Sequence, residues 1–265
     1  MPEPHSALDI VLEGLMSRYR ANVPDVAAVV DAMIRSRIIG SADEIENDHI
    51  AFRTLGVRHL GIRSLEKIFL RFGYRRRDLY DFPAKKLTAF WYDPPDQARP
   101  RIFISELRVN ELTGGAQSVI RSYVSEVTAD PVDGIDLDDG PAIVEFMHRP
   151  LWRTPTWTDY ERLRSESEYA AWVIFNRYYL NHFTIAIHNL PEGYNTIEEF
   201  NRFLEAHGFN LNDSGGKVKI SGDGRLVQSS TVAAMVEALF SEGAAFGRKS
   251  GHGGTGRTAK SSASV

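Results

Sequence analysis

A chain of 265 residues with 43% apolar side chains can bury a sizeable core, and its length suits one or two domains. A net charge of −4 offers no broad basic surface, which argues against nucleic acid as a partner, and no apolar run is long enough to cross a bilayer, which argues against a membrane protein. Cysteine is absent, so disulfides, thiolate ligands and cysteine nucleophiles are excluded together; with no leader-like start in Met1-Pro2-Glu3-Pro4-His5, the expectation is a cytoplasmic protein.

Residues 6–39 predict two helices. Leu8, Val11, Leu12, Leu15 and Tyr19 form one apolar stripe, and Val26, Val29, Val30, Met33, Ile34 and Ile38 form the next, with Pro24 placed to start it. The next stretch, Asn47-Asp48-His49-Ile50-Ala51-Phe52-Arg53-Thr54-Leu55, alternates as a strand with one buried face. Ile50 and Phe52 point one way; His49, Ala51 and Arg53 point the other. An imidazole and a guanidinium then share a face with their Cα atoms roughly 13 Å apart; the long Arg side chain can reach back over much of that gap, and a metal-bound ligand with a second carboxylate would fit between. The plain alternative is a core histidine and a rim arginine. Ser64 is placed to cap a helix with the stripe Leu65, Ile68, Phe69 and Phe72, ended by Gly73. Arg75-Arg76-Arg77 reads as a solvated end of that unit. Strands follow at 87–92 and 101–107, separated by the turn Asp93-Pro94-Pro95-Asp96. Glu106 on the second of these is either a third metal ligand or a rim salt bridge.

Residues 110–178 read as a mainly helical insert. Asp133, Asp136, Asp138 and Asp139 lack the spacing of a calcium loop and are taken as solvated acid. Ser165 and Glu168 form a capping-box pattern before an aromatic helix with Tyr169, Trp172 and Phe175, aromatics assigned to the core. The strand form then returns as Leu180-Asn181-His182-Phe183-Thr184-Ile185-Ala186-Ile187, with His182, Thr184 and Ala186 on one face. Thr196 and Glu199 make a capping box for a second helix, striped by Ile197, Phe200, Phe203 and Leu204 and ended by Gly208. Gly73 lies 24 residues after His49, and Gly208 lies 26 after His182. Strands at 217–221 and 226–231, joined by the turn Ser221-Gly222-Asp223-Gly224, complete the copy. The chain therefore reads as one β-α-β-β unit used twice, spanning 47–107 and 181–245, each opening on a histidine. The end of the second copy, Gln228-Ser229-Ser230-Thr231, can hold a substrate carboxylate or face water. Residues 247–265 hold almost no apolar side chain and read as a disordered tail outside the single catalytic domain of residues 1–245.

Two imidazoles from equivalent strands supply half to two-thirds of a first-row metal site. One added carboxylate would complete the two-histidine, one-carboxylate set that leaves open positions on Fe(II); zinc would accept the same donors.

At these residues the sequence resembles the 2-oxoadipate dioxygenase/decarboxylases, also called 2-hydroxyglutarate synthases. The matching stretches are Asn47-Asp48-His49-Ile50-Ala51-Phe52-Arg53-Thr54, Leu180-Asn181-His182-Phe183-Thr184 and Gln228-Ser229-Ser230-Thr231, and the likeness runs over most of residues 10–245. The resemblance implies an α+β fold of two packed modules of vicinal-oxygen-chelate type, with the helices of 6–39 and the insert added. It implies Fe(II) on His49 and His182, Arg53 on the far carboxylate of a 2-oxo dicarboxylic acid, and dioxygen as co-substrate, giving 2-hydroxyglutarate from 2-oxoadipate in lysine breakdown. The family's third ligand is a glutamate on a late strand; here that region reads Glu242-Gly243-Ala244-Ala245, so Glu106 or Glu242 substitutes or the carboxylate is missing. Two rivals stay open: a zinc lyase or hydrolase on the same scaffold, and a dicarboxylate-binding module without catalysis. Oligomeric state is not legible from the sequence.

Overall fold

The N-terminal helices form as their stripes dictate: α1 (Ala7–Asn22) opens on a capping box between Ser6 and Asp9, and α2 (Pro24–Arg35) opens on the proline. The structure is a computed structural model, and it describes residues 6–213, 216–220, 226–232, 238–242, 245–246 and 260–264. β1 (Asn47–Leu55) occupies the expected stretch. Its Ile50 and Phe52 are fully buried, and Phe52 packs against Phe69 of α3 (Ile62–Arg71) with ring centres 5.4 Å apart. Burial of such a side chain stabilises by about 1.5–3 kcal/mol.

α3 does not begin at Ser64. Its N-cap is Gly61, at φ +87°, and Ser64 is a buried helical residue whose hydroxyl donates to Asp130. The cap comes from another strand: Glu106 Oε2 accepts the Ile62 N–H at 2.9 Å, and a Cβ on Gly61 would sit 2.6 Å from that oxygen. β2 (Arg75–Phe82) follows, an exposed edge strand that contains the arginine run read as a solvated helix end. β3 (Leu87–Asp93) and β4 (Arg101–Leu107) complete the first module.

The insert supplies α4 (Gly114–Val124), α5 (Gly140–His148), α6 (Trp157–Glu166) and α7 (Glu168–Asn176). Its acidic loop is anchored as well as solvated: Asp130 and Asp133 pair with Lys67, and Asp138 with Arg71, which ties the loop to α3. Ser167, not Ser165, caps α7. The second module starts with the fully buried β5 (Leu180–Ala186) and α8 (Ile197–Ala206), whose Thr196–Glu199 capping box is present as expected. β6 (Lys219–Ile220) and β7 (Leu226–Ser230) follow, then the small pair β8 (Ala238–Leu239) and β9 (Ala245–Phe246), and β10 (Lys260–Ser264). The turn expected at 221–224 and the tail segment 247–259 lie outside the described residues. Residues 260–264, assigned from sequence to the tail, are instead a strand.

Among the described residues the main sheet runs β2-β3-β4-β1-β5-β10-β7-β6. Each half has the same plan: the opening strand lies parallel to the last strand of its module, and the two middle strands fold back antiparallel. The halves meet at one antiparallel seam, β1 against β5. No described helix is long and apolar enough to cross a membrane.

Candidate active site

Period-two alternation puts His49, Ala51 and Arg53 of β1, Phe103 and Ser105 of β4, and His182 of β5 on one wall of a cavity of about 710 Å³. The opposite face of β1 carries the buried Ile50 and Phe52. The cavity therefore straddles the seam between modules.

The two rings lie edge to face with centres 5.5 Å apart, and both are buried. Each is steered by the residue before it. The β1–β5 register slips between Asn47 and His49, leaving Asp48 unopposed, and slips again between Ala51 and Phe52, leaving Asn181 unopposed. Such bulges turn a side chain toward its neighbour. Asp48 Oδ2 stands 2.7 Å from His49 Nδ1, and Asn181 Oδ1 stands 2.8 Å from His182 Nδ1. Both partners are acceptors, so each ring carries its proton on Nδ1 and its lone pair on Nε2. That is the outer-shell arrangement of metal-ligating histidines. Asp48 is itself held by Arg101 at 2.8 Å, and Thr184 Oγ1 lies 3.0 Å from His49 Nε2.

Arg53 occupies the other end. Its Cζ stands 5.0 Å from the Tyr169 ring centre and 5.3 Å from that of Trp172. Enclosure by protein lowers the guanidinium's pKa, and the charge of Glu168 opposes the shift; it remains a cation. Two of the three lysines that line the cavity are engaged, Lys86 with Glu166 at 3.8 Å and Lys219 with the carbonyls of Asn212 and Gly216. Gln228 lines the same cavity, and its buried Oε1 meets no hydrogen-bond partner among the described residues. Ser229 faces away and donates to Asn201 of α8.

The pairing of His49 and His182, and the placement of Arg53 on their face, appear as expected; neither acidic candidate joins them. Glu106 lies on the Ile102 and Ile104 face, where it caps α3, so it is neither a ligand nor a rim salt bridge. Glu242 accepts the Trp157 N–H at the start of α6. Among the described residues no group of three or more His, Asp or Glu is placed to hold a metal. The two imidazoles thus fit a divalent first-row metal in tautomer and support, and, with Asp48 engaged on the Nδ1 side of His49, the described residues supply no further carboxylate placed to complete a metal site. Sequence reasoning missed Asp48, Tyr169 and Trp172; the signal for the first was a polar residue directly before the histidine in both copies.

Comparison with known proteins agrees with this geometry. A family model described as 2-oxoadipate dioxygenase/decarboxylase matches residues 11–253. The rice (Oryza sativa subsp. japonica) chloroplastic/amyloplastic 2-oxoadipate dioxygenase/decarboxylase is 38% identical over 243 residues, 88% of this chain; the chain spans 64% of that relative's length. The crystal structure of the hydroxyglutarate synthase from Oryza sativa in complex with 2-oxoadipate superposes with a TM-score of 0.80 at 36% identity, covering 96% of this chain and 79% of that one. A Ralstonia eutropha JMP134 protein described as of the glyoxalase superfamily shares the fold, with a TM-score of 0.74 at 21% identity over 97% of this chain and 83% of that one. The fold is α+β of the vicinal-oxygen-chelate type. The expectation of a cytoplasmic protein does not stand, because the rice relative is a plastid protein by name and composition does not distinguish the compartments. Two histidines on equivalent strands, an arginine on their face and a match over nearly the whole chain lead to one conclusion: this protein belongs to the 2-oxoadipate dioxygenase/decarboxylase family.

Proposed function

We propose that this chain is an Fe(II)-dependent dioxygenase that decarboxylates a 2-oxo dicarboxylic acid, with 2-oxoadipate and dioxygen as substrates and 2-hydroxyglutarate and CO2 as products, a step of lysine breakdown. The observation that carries the reading is the pair of support-fixed imidazoles at one end of a cavity whose other end holds a guanidinium with no hydrogen bond or ion pair to the described residues. His49 and His182 would hold the metal through Nε2, and the Thr184 hydroxyl, 3.0 Å from His49 Nε2, would have to give up that contact. When bound, the metal supplies sites for the 2-oxo acid's carboxylate and keto oxygens and for dioxygen, the chemistry that lets both oxygen atoms enter product.

The residues of the chain bind and orient. Arg53 offers a planar fork to the distal carboxylate, a charge-assisted contact that sets chain length. Phe103, with its ring centre 4.9 Å from that of His49, and Tyr80 beyond it make an aromatic wall beside the reacting end. Gln228 offers a carboxamide to the substrate's polar atoms.

A second reading, a dicarboxylate-binding module without turnover, is favoured by one observation: no third acidic ligand stands beside the imidazoles among the described residues. Anaerobic Fe(II) reconstitution followed by oxygen-uptake assays with 2-oxo acids of graded length decides between them. The proposal expects stoichiometric iron, lost in His49→Ala and His182→Ala, and uptake that peaks at a dicarboxylate and loses that preference in Arg53→Ala. Tight dicarboxylate binding with neither iron nor uptake would establish the module instead.

A further inference from the structure

The Arg53 guanidinium is met by aromatic rings rather than by hydrogen-bond acceptors among the described residues. Tyr169 and Trp172 stand three residues apart on one flank of α7, and both rings lie against the cation. Tyr169 is itself tethered around Arg53. Pairing of β1 with β5 stops at Phe52, and beyond that point the Thr54 N–H donates to Tyr169 Oη at 3.1 Å. The phenol in turn donates to Ser105 Oγ at 2.8 Å, and Ser105 donates to the Phe52 carbonyl at 3.1 Å. One ring is therefore tied to the backbone on both sides of Arg53, directly at Thr54 and through Ser105 at Phe52. Burial raises the phenol's pKa, so it stays a neutral donor.

Trp172 has the opposite character. Its Nε1 is buried and finds no partner among the described residues, a desolvation penalty that phenylalanine would avoid. What indole offers over phenylalanine at this position is the stronger attraction of its face for a cation.

We propose that Tyr169 and Trp172 are positioning residues that hold Arg53 at one depth and one orientation, so that the insert helix α7 sets which length of dicarboxylic acid the cavity accepts. A guanidinium free to swing would meet carboxylates at several depths, whereas a fork held against two aromatic rings is pre-organised for a single bidentate geometry. The proposal rests on the reading of Arg53 as anchor of the distal carboxylate.

The test is equilibrium binding of 2-oxoadipate and of 2-oxohexanoate, which has the same carbon chain without the distal carboxylate, measured by anaerobic titration calorimetry on the iron-reconstituted full chain. The ratio of the two Kd values cancels what the 2-oxo end contributes. Relative to the parent, the ratio should fall about tenfold in Trp172→Leu and about threefold in Trp172→Phe and Tyr169→Phe. A purely structural role would weaken both acids alike, and an unmoved ratio in these variants overturns the proposal. Should Trp172→Leu fail to fold, the two conservative variants decide alone. Arg53→Ala separates the layers: loss of the ratio there but not in the α7 variants overturns the clamp and spares the anchor, whereas an unmoved ratio in Arg53→Ala removes the anchor itself.

Discussion

Asp48 and Asn181 show how much of this site depends on single residues out of register. Strict alternation would send each to the face opposite its histidine, yet each bulge lets it accept from the neighbouring Nδ1. The faces of His49, His182 and Arg53 were legible because period two needs only the strand's own sequence. The bulges were not, since they exist only where β1 meets β5. The two supports also differ: Asp48 brings a charge, shared with Arg101, where Asn181 brings a neutral amide. A carboxylate acceptor makes the ring a better donor to a metal, so Asp48→Asn should raise the Kd for Fe(II) about 10–100-fold in an anaerobic competition titration. An unchanged Kd would mean that Thr184 and packing orient His49 without help from the carboxylate.

Elements whose signals are local were found close to their true positions. β1, β4 and the Thr196–Glu199 cap of α8 lie where the sequence places them. β2 was missed because it opens on three arginines and an aspartate and, as an exposed edge strand, lacks a buried alternating face, so only the sheet gives it shape. Ser64 and Ser165 read as caps because serine is a good one, but the true cap of α3 is remote in sequence: Glu106 crosses from β4 to the Ile62 N–H beside a glycine that leaves it room. This assignment separates cleanly from a ligand role. Glu106→Ala should destabilise the protein by about 1–2 kcal/mol, read from the urea midpoint, because the helix start loses its acceptor. Iron stoichiometry should stay at the parent value; a drop in iron without a drop in stability would return Glu106 to the metal.

For the whole molecule, the duplication was visible as two histidines with similar spacing to a helix-ending glycine, and the fold turns it into a sheet with the same strand order on either side of one seam. What the duplication could not show was the fourth strand of the second module, because β10 arises from a serine-rich stretch without an apolar pattern, and its place is set by the edges of β5 and β7. Nor could it show that the insert contributes α7 to the cavity, since an aromatic helix reads the same whether it fills a core or flanks a cation. The seam has an energetic consequence. The cavity straddles β1 and β5, so its geometry survives only if the modules behave as one cooperative unit. Ile50 and Phe183 sit directly opposite each other across that seam, both buried on the face away from the histidines. Ile50→Ala and Phe183→Ala should each destabilise by about 2–5 kcal/mol in urea unfolding. The double variant should fall short of the sum by about 0.5–1 kcal/mol, the coupling of a directly opposed apolar pair, with every spectroscopic probe giving one midpoint. Additive losses with separate midpoints for the two modules would show that they fold independently, and a site built across their boundary would then lack the rigidity needed to hold two imidazoles on one ion.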